Sequence, residues 1–592
     1  AGLKGAPTVL EPVAVAETLA LAGNEAYDKE GYVAINATGG GENVIIYGGK
    51  VPGEGGSGMS SSDSVWIKAS AGKFLGLIGA SRAQNWMLGS GWNLNADTHI
   101  AVEGAETEVG HIIGGYIQEC NSPVLNGNSY ISVKDGKVTG NIVGSSATVD
   151  GDAYTSYHNG STNVFIYVPL SDATTATSLA HATEDPTHVV VGGGISLVHS
   201  GNTGRVARYQ MTGETNVTID LSAYSGSETT FAKAVYGGNY TNRTNENCVS
   251  KIIGDTNVTI KGGNITFSKD IVGGSLMRRG DAEISGTASL DIASGTFTGN
   301  VVAGSYSAEG ATAGDTSYVG KTDLKISGGT FTAGNSSVIG GSFLHSGAGA
   351  VEVGSANSTI AGGTITNLVG GHLIGGDGTT AANATLGGAT VTVSAGTVTN
   401  LIGGSRVWRN HADSTVEQGD IVIELQGGTV SGSLYAAGSQ KGDTKISTAS
   451  TTVKIHNSAT INCTVSGGYE FASGKSGSTV TGDSTLQFIG DNSNRNGLLF
   501  KDFTVIDVDN TATLGALQSS GFTKKGTGNL TIKSHANNNI ASATVAAGSL
   551  TLNGSYSIAG GVEVQSGGTL ITGGATTLGG ALTLADGAAL NV

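Results

Sequence analysis

The sequence is poor in charged residues, proline and aromatic residues. Among its 592 residues, 13% are charged, 6% are aromatic and six are proline, whereas average proteins have roughly 25% charged residues and 5% proline. The 30 basic residues are spread thinly among 46 acidic ones, and the net charge is −16. Because phosphate binding draws on clustered Lys and Arg, we expect no nucleic-acid partner.

Long apolar runs and paired cysteines are also missing. No run approaches the roughly 18 apolar residues that mark a transmembrane helix, so we expect no membrane-spanning segment. The three cysteines, Cys120, Cys248 and Cys463, are odd in number and far apart, which favours isolated buried thiols over a disulfide framework or a zinc site. We therefore expect no metal and no other cofactor.

Glycine, in contrast, is abundant, with 98 residues or about 17% of the chain. Collagen needs about one-third glycine in a strict three-residue period, so it is excluded. A hydrophobic content of 38% is enough for a core. Because prolines are few, long stretches remain free to donate every backbone N–H to a β-ladder.

A repeat with the period of a solenoid protein runs through the middle of the chain. Its first motif is I-x-G-G-T-Φ-T, where Φ is Phe, Ile or Val, and its nearly evenly spaced copies begin at Ile260, Ile292, Ile326, Ile360, Val393 and Leu425. A second motif, Φ-Φ-G-G-S, follows at Ile271–Ser275, Val301–Ser305, Val338–Ser342 and Leu401–Ser405, and with alanines at Tyr435–Ser439. Earlier, irregularly spaced copies lie at Ile46–Lys50, Leu77–Ser81, Ile112–Tyr116 and Val235–Asn239, which indicates larger insertions in the first half.

Short alternating runs rich in Val, Ile, Thr and Phe predict strands. Such strands bury their apolar faces by stacking unit on unit, whereas a helical repeat is disfavoured because β-branched residues and glycine are poor helix formers. The sequence therefore predicts an all-β, single-stranded parallel β-helix, right-handed like most parallel crossovers, with coils of about 30–37 residues tightening to 20 at the C-terminus. In T-Φ-T, we expect Φ inside and both threonines outside, with the glycine pairs at corners that need positive φ.

The spacing of the motifs divides the chain into four parts. Residues 1–30 are predicted to form an N-terminal cap or flexible segment with a short helix, and residues 31–230 an irregular β-helix with loop insertions. Residues 231–480 are predicted to form regular glycine-rich coils, and residues 481–592 to form shorter ones. In this last part the tighter repeat is marked by the evenly spaced Leu530, Leu550, Leu570 and Leu590.

The C-terminal part resembles a known family. Lys525–Ile532 (KGTGNLTI) and Thr544–Leu552 (TVAAGSLTL) are similar to the passenger-associated transport repeat of bacterial autotransporters, in which K-x-G-x-G-x-L-x-L is followed by x-V-x-x-G-x-L-x-L. The match covers roughly residues 520–592. The resemblance implies export through the outer membrane of a Gram-negative bacterium, an extracellular or cell-surface location, and folding that starts from the C-terminal coils. Family passengers are commonly adhesins or aggregation factors, and less often proteases or esterases.

Motifs that carry catalysis are missing from the sequence. No G-x-S-x-G elbow occurs, and two near-matches to a phosphate loop, at Gly320–Thr322 and Gly474–Ser476, lack the first glycine at the required spacing. Asp507 and Asp509 share one strand face, but a solvated face accounts for them. We therefore expect a non-enzymatic protein.

The loops after the second motif leave successive coils at the same phase and should project from one edge, where solenoids often bind. Two remote copies, LIGASRAQNW and LIGGSRVW, both place Arg and then Trp there, and Arg and Trp are enriched at binding hot spots. The alternative is that Trp packs on the coil and Arg is a solvated rim. A third loop holds an Arg-Gly-Asp tripeptide of the kind some host integrins recognise. The candidate binding residues are Arg82, Trp86, Arg278, Arg279, Asp281, Arg406 and Trp408.

The outward threonines form a further candidate surface. Two files of hydroxyls, such as those of Thr364 and Thr366, would run along the coils about 4.8 Å apart, as in ice-binding β-helices. Strand propensity and Thr–Thr contacts between coils are the alternative explanation.

Three functions follow as hypotheses. The first is a secreted cell-surface protein that mediates adhesion or aggregation by binding host or bacterial surface glycans or proteins. The second is a filament or surface-layer subunit that self-associates end to end. The third is a carbohydrate-active β-helix enzyme.

Overall fold

The structure is a computed structural model that describes residues 19–21, 24–29, 32–37, 45–48, 60–83, 93–118, 122–149, 152–171, 188–198, 206–243, 248–308, 314–332, 337–345, 349–375, 381–411 and 413–592. Every regular element in these residues is a β-strand, and none of them is helical. Accordingly, this part of the chain has no helix with the length and apolarity to cross a membrane.

The strands up to residue 198 are β1 (Leu19–Leu21), β2 (Asn24–Lys29), β3 (Tyr32–Ala37), β4 (Ile45–Tyr47), β5 (Ser60–Ser61), β6 (Ser64–Ala69), β7 (Gly72–Ile78), β8 (Arg82–Ala83), β9 (Asn93–Leu94), β10 (Thr98–Val102), β11 (Thr107–Ile113), β12 (Ile117–Gln118), β13 (Val124–Asn126), β14 (Ser129–Val133), β15 (Lys137–Val138), β16 (Ile142–Val143), β17 (Ala147–Val149), β18 (Asp152–Asn159), β19 (Thr162–Ile166), β20 (Val189–Val191) and β21 (Ile195–Val198). Those from 206 to 374 are β22 (Val206–Thr212), β23 (Thr215–Asp220), β24 (Thr230–Phe231), β25 (Ala234–Tyr236), β26 (Tyr240–Arg243), β27 (Val249–Ile253), β28 (Thr256–Phe267), β29 (Ile271–Val272), β30 (Leu276–Met277), β31 (Asp281–Phe297), β32 (Val301–Val302), β33 (Tyr306–Ser307), β34 (Thr316–Ile326), β35 (Thr330–Phe331), β36 (Val338–Ile339), β37 (Phe343–Leu344), β38 (Ala350–Val353), β39 (Ala356–Val369) and β40 (Leu373–Ile374).

The remaining strands are β41 (Asn383–Ile402), β42 (Ser405–Val407), β43 (Thr415–Leu425), β44 (Thr429–Tyr435), β45 (Gly438–Gln440), β46 (Lys445–Thr448), β47 (Thr451–His456), β48 (Thr460–Ile461), β49 (Val465–Ser466), β50 (Tyr469–Phe471), β51 (Thr479–Val480), β52 (Ser484–Ile489), β53 (Asp491–Asn492), β54 (Leu499–Lys501), β55 (Val505–Val508), β56 (Thr511–Leu514), β57 (Ala516–Ser519), β58 (Phe522–Lys525), β59 (Asn529–Lys533), β60 (Asn539–Ile540), β61 (Ala543–Val545), β62 (Gly548–Asn553), β63 (Tyr556–Ile558), β64 (Val562–Val564), β65 (Gly568–Thr572), β66 (Thr576–Leu578), β67 (Leu582–Leu584) and β68 (Ala589–Asn591).

The chain divides into two compact units, residues 1–322 with 346–352 and residues 323–345 with 353–592. In the first unit, each coil (one turn of the β-helix) lies parallel to the next and in register with it. Ile271 pairs with Val301 across a short step of the chain, whereas Ile142 pairs with Val190 across a considerably longer one. The longer steps contain the insertions that the irregular motif spacing predicts.

The second unit is built in the same way, with coils that become shorter. Leu368 pairs with Leu401 early in this unit, and the step from Leu530 to its partner Leu550 near the C-terminus is clearly shorter. The parallel β-helix and its tightening toward the C-terminus are therefore confirmed in the two units. The right-handed sense stays a prediction.

The first described strands are an exception to the parallel pairing. Strand β2 pairs antiparallel with β1 and with β3, and β3 then pairs parallel with β6 in the first β-helical coils. The described residues of the predicted cap, 19–21 and 24–29, are thus strands, and residues 1–18 lie outside the described part of the chain. A short helix is wrong for those two stretches because their backbone groups are used in antiparallel ladders.

The interior contains a column of stacked phenylalanines, of which Phe297 is the Φ residue of the first-motif copy that begins at Ile292. Phe231, Phe267 and Phe297 are buried and stack coil on coil, with ring centroids 5.1 and 4.9 Å apart. The threonines on either side of Phe297, Thr296 and Thr298, are at least partly exposed. This confirms that Φ points inward and the threonines outward, and Thr364 does pair in register with Thr397.

Glycine serves the two motifs for different reasons. In the first motif, Gly363 has a φ of +82°, a conformation that favours glycine. In the second motif the reason is close approach, since a Cβ at Gly273 would come within 2.5 Å of the carbonyl oxygen of Ala303 in the next coil. Positive φ at the corners is therefore confirmed for the first motif, and the second uses glycine to let coils stack closely.

The serine of the second motif accepts hydrogen bonds from buried backbone N–H groups. The hydroxyl of Ser305 accepts a hydrogen bond from the N–H of Ser275 at 3.2 Å, and that of Ser275 accepts one from the N–H of Asn239 at 3.0 Å. In the second unit the hydroxyl of Ser405 accepts from the N–H of His372 at 3.1 Å. These side chains link successive corners inside the coil, which is why the position is polar.

The alanine-containing copy of the second motif begins one residue earlier than its sequence suggests. Leu401 pairs with Leu434, and Ser405 pairs with Gly438. The copy is therefore Leu434–Gly438, and the assignment to Tyr435–Ser439 is wrong. The reason is that the inward position must be filled by a buried aliphatic residue, and Leu434 is fully buried while Tyr435 is partly exposed.

Candidate functional site

Within each unit, the short strands that follow the second motif pair with one another, apart from the long strands. In the first unit these strands are β8, β12, β17, β21, β26, β30 and β33, and in the second unit they are β37, β40, β42, β45 and β50. Because the strands in each unit pair side by side and in parallel, the segments that follow them leave successive coils on the same side of that unit.

Arg82 and Arg406 occupy the same place in this arrangement. Each directly follows the serine of the second motif, and each lies in a short strand, where Arg82 pairs with Ile117 and Arg406 pairs with Leu373. The structure describes the backbone of Arg82 but not its side chain, and Trp86 lies outside the described residues.

The Arg-Gly-Asp tripeptide lies where a bend at Arg279 and Gly280 leads into β31, whose first residue is Asp281. Arg278 and Arg279 are half-buried, and Gly280 is buried with a φ of +79°. One carboxylate oxygen of Asp281 accepts hydrogen bonds from Thr316, from its N–H at 3.0 Å and from its hydroxyl at 2.7 Å. The acidic group of the tripeptide is thus engaged by the next coil.

Arg406 and Trp408 are brought together on the outside of the second unit. Strand alternation places Ser405 and Val407 inside, where both are buried, and leaves Arg406 and Trp408 half-buried on the outer face. The guanidinium carbon of Arg406 lies 4.5 Å from the centroid of the Trp408 ring. The pair is a cation–π contact, which holds the charged group against the indole.

Three further residues, of which Ser439 is fully buried, adjoin this pair, and sequence reasoning missed them. Arg406 pairs in register with Ser439, and Ser439 pairs with Glu470. The hydroxyl of Ser439 donates to one carboxylate oxygen of Glu470 at 2.8 Å, and Lys441 forms an ion pair with the other. We call Arg406, Trp408, Ser439, Lys441 and Glu470 the Arg406 patch.

The carboxyl group of Glu470 is held in its charged form. Burial alone would raise its pKa, but hydrogen bonds from Lys441 and Ser439 and the charges of Lys441 and Arg406 outweigh that effect and lower the pKa. Burial lowers the pKa of the Arg406 guanidinium, and the charge of Glu470 opposes this change. The patch therefore carries two cations and one anion at neutral pH.

A second group of polar residues lies beside the patch. The ammonium of Lys501 lies 5.3 Å from the ring centroid of Tyr435, and the hydroxyl of Ser466 donates to Asp502 at 2.8 Å. The pKa of Tyr435 is raised by burial and then by the charges of Glu470 and Asp502. Asp502 has a φ of +63°, an uncommon conformation for a residue other than glycine, which is often found at functional sites.

The carboxyl group of Glu470 does not have the properties of a general acid. A general acid needs a carboxyl group whose pKa is raised toward neutral pH, and the pKa of Glu470 is lowered. Elsewhere, the hydroxyl of Ser145 lies 2.7 Å from Nδ1 of His158, as in a nucleophile and its base, but both residues are fully buried. Burial leaves that pair with a structural role inside the coil.

The missed residues had a signal in the sequence, namely the repeat itself. Ser439 follows Arg406 by one repeat, and Glu470 follows Ser439 by another. When the alanine-containing copy of the second motif is placed one residue too late, Gln440 rather than Ser439 becomes the equivalent of Arg406. The alignment of Arg406 with Ser439 and Glu470 is then lost. Correct register would have placed Ser439 and Glu470 beside Arg406.

In the residues that the structure describes, no three His, Cys, Asp or Glu side chains lie together as a metal site would require. Comparison with known proteins gives no relative for this chain. No protein-family model matches it, no curated protein matches it and no solved structure matches it.

Proposed function

We propose that the protein is a non-enzymatic β-helix of the cell surface that mediates adhesion or aggregation through the Arg406 patch. The observation that carries this proposal is the outward, half-buried contact between Arg406 and Trp408. An aromatic ring and a guanidinium held together on a rigid sheet lose little entropy on binding, and both residue types dominate binding energy in protein interfaces. Its ligands are surface glycans or proteins of a host or of bacteria.

Export to the cell surface is part of the same proposal and rests on the autotransporter-like pattern of residues 520–592. It is tested by adding protease to intact Gram-negative cells that produce the protein from its natural gene. We expect the chain to be cleaved while a cytoplasmic marker protein survives. Protection of the chain until the cells are broken would contradict the surface location.

Adhesion is tested with the purified chain immobilised on a surface. Glycans, matrix proteins and whole cells are passed over it, and binding is compared for the native protein, Arg406→Ala and Trp408→Ala. We expect binding to at least one of these classes and a loss of at least tenfold in each variant. Lys533→Ala, at an exposed position of β59, is the control for an unspecific loss of one positive charge.

The proposal fails if the native protein binds none of these materials. It also fails if binding is unchanged in both patch variants, because the contact surface would then lie elsewhere. Circular dichroism of each variant should show the native β-sheet signal, which separates lost contacts from lost folding.

A further inference from the structure

Arg406 carries a buried hydrogen-bond donor that no protein group uses. Within the described part of the chain, its Nε atom is buried and lacks a hydrogen-bond partner, although buried polar atoms normally have one. The guanidinium lies against the Trp408 ring, with its carbon 4.5 Å from the ring centroid. The two terminal nitrogens of the guanidinium are not among these buried atoms, and together they present a planar pair of N–H donors that fits a carboxylate in a bidentate manner.

The charge of the patch also favours an anionic ligand. Lys441 and Arg406 contribute two positive charges, and Glu470 contributes one negative charge that is already engaged by Lys441 and Ser439. The patch thus has a local positive excess on a chain whose net charge is −16. Glu470 lies two coils from Arg406 in the same row of register partners, and its charge acts on the guanidinium without a hydrogen bond between them.

The surroundings of Trp408 favour a sugar as the bearer of the negative group. One residue past the paired Ile374 and Val407, Trp408 has Gly375 as its neighbour on the adjoining coil. No side chain from that position covers the indole, whose apolar surface is suited to the C–H face of a sugar ring. A carboxylate on a flexible peptide side chain would need only the arginine and would leave the indole unused.

We propose that the Arg406 patch binds the carboxylate of an acidic saccharide, with the guanidinium of Arg406 holding the carboxylate and the Trp408 ring supporting the sugar. This inference rests on the proposed adhesive function and specifies its ligand class. The half-buried Lys441 lies on the next coil, about 4.8 Å further along, where its ammonium can contact a hydroxyl group of the same saccharide, while the buried Ser439 holds Glu470 from inside.

The test compares two polysaccharides with the same backbone. Binding of the full chain to polygalacturonate and to its fully methyl-esterified form is measured by calorimetry or by surface plasmon resonance. Esterification removes the charge and the bidentate acceptor but leaves the sugar ring, so we expect at least tenfold weaker binding of the ester. Equal binding of the two forms would overturn the inference and leave the adhesive function standing.

Variants then locate the effect. Arg406→Gln should reduce binding of polygalacturonate at least tenfold, and Arg406→Lys should reduce it by a similar factor because a lysine keeps the charge but loses the planar fork. Lys533→Gln, which removes one exposed positive charge elsewhere, should have no effect. Full binding by Arg406→Lys, or equal binding of dextran sulfate, would indicate charge attraction alone and would overturn the inference.

The two proposals fail in different ways. If no saccharide, protein or cell binds the native chain, the adhesive function and this inference both fall. If cells or proteins bind but polygalacturonate does not, only the acidic-saccharide inference falls. Because the ester comparison uses the native protein, it decides the matter even where a variant does not fold.

Discussion

The hydroxyl of Thr256 donates a 2.7 Å hydrogen bond to the carbonyl oxygen of Gly273, the first glycine of the second motif. The same bond recurs between equivalent residues of other coils. Thr162 donates to Gly192 at 2.6 Å, and Thr215 donates to Gly237 at 2.6 Å. In these coils a buried threonine thus donates a hydrogen bond to the carbonyl oxygen of a glycine at a corner, which points into the β-helix.

Replacing Thr256 by valine is expected to destabilise the protein by about 1–3 kcal/mol, since valine keeps the shape but leaves the buried carbonyl of Gly273 without a partner. Thr259→Val on the same strand is the matched control, because Thr259 is not buried, and its effect should stay within about 0.5 kcal/mol. Urea unfolding followed by circular dichroism measures both. Equal effects would show that the corner bond does not contribute to stability.

The repeat allowed the fold to be predicted because side-chain direction in a strand follows its period. Alternation in the first motif is enough to place Phe297 inside and its threonines outside. The inward threonines such as Thr256 could not be predicted in this way. Whether a threonine faces a corner carbonyl or solvent depends on which coil lies beside it, and that depends on coil lengths that vary within the first unit, as the pairs Ile271–Val301 and Ile142–Val190 show.

The candidate site was predictable only in part for the same reason. Arg406 and Trp408 share one coil and stand out in the sequence by their spacing from the second motif. Glu470 and Lys441 come from later coils, and their place beside Arg406 requires a register that alanines in the intervening motif obscure. Residue types alone therefore predicted the part of the patch that lies on one coil. The charged residues that later coils contribute could not be predicted in this way.

The glycine of the Arg-Gly-Asp tripeptide should matter for folding in its own right. A Cβ at Gly280 would overlap the backbone of Cys248, and its φ of +79° disfavours any other residue. We expect Gly280→Ala to cost about 3 kcal/mol, measured by urea unfolding. Gly314→Ala is the control, since nothing lies within 4 Å of a Cβ there. A fully stable Gly280→Ala variant would contradict this close backbone approach.

Acid should weaken the first unit through two histidines. Burial lowers the pKa of His158 to about 4, against the opposing effects of its bond to Gly127 and the charge of Asp97, and burial likewise lowers the pKa of His99 to about 4. The ordinary value is 6.5, so between pH 6.5 and 4 the unfolded chain binds more protons. The free energy of unfolding therefore falls as the pH is lowered through this range, by on the order of 3 kcal/mol for the fully buried His158.

His99 allows this pH effect to be tested without disturbing packing. Its ring is stacked between Trp66 and Tyr130, with centroids 3.6 and 4.6 Å away. His99→Phe keeps the stack and removes the titrating group, so the loss of stability between pH 7 and pH 4.5 should be smaller in the variant. His535→Phe, at an exposed position, is the control. If the loss of stability between pH 7 and pH 4.5 is unchanged in His99→Phe, His99 is not one of the groups that cause it.

A buried lysine should stabilise the C-terminal coils. Lys524 is fully buried, and its ammonium donates to the carbonyl oxygens of Gly526 at 2.7 Å and of Ala547 at 3.1 Å. Lys525, the first residue of the segment that resembles the transport repeat, is exposed. We expect Lys524→Ala to cost at least about 2 kcal/mol because it leaves two carbonyls without this donor, whereas Lys525→Ala should change stability by less than about 0.5 kcal/mol.

The same lysine gives the C-terminal coils a signature at alkaline pH. Burial lowers the pKa of Lys524 to about 8 from its ordinary 10.5, and the charge of Asp507 opposes the change. Between these values the unfolded chain binds more protons, so the contribution of Lys524 to the free energy of unfolding rises with pH. Urea unfolding at pH 8 and 9.5 should show this rise in the native protein and in Lys525→Ala but not in Lys524→Ala. If the free energy of unfolding changes with pH in the same way in both variants, the buried ammonium of Lys524 is not the source of the rise.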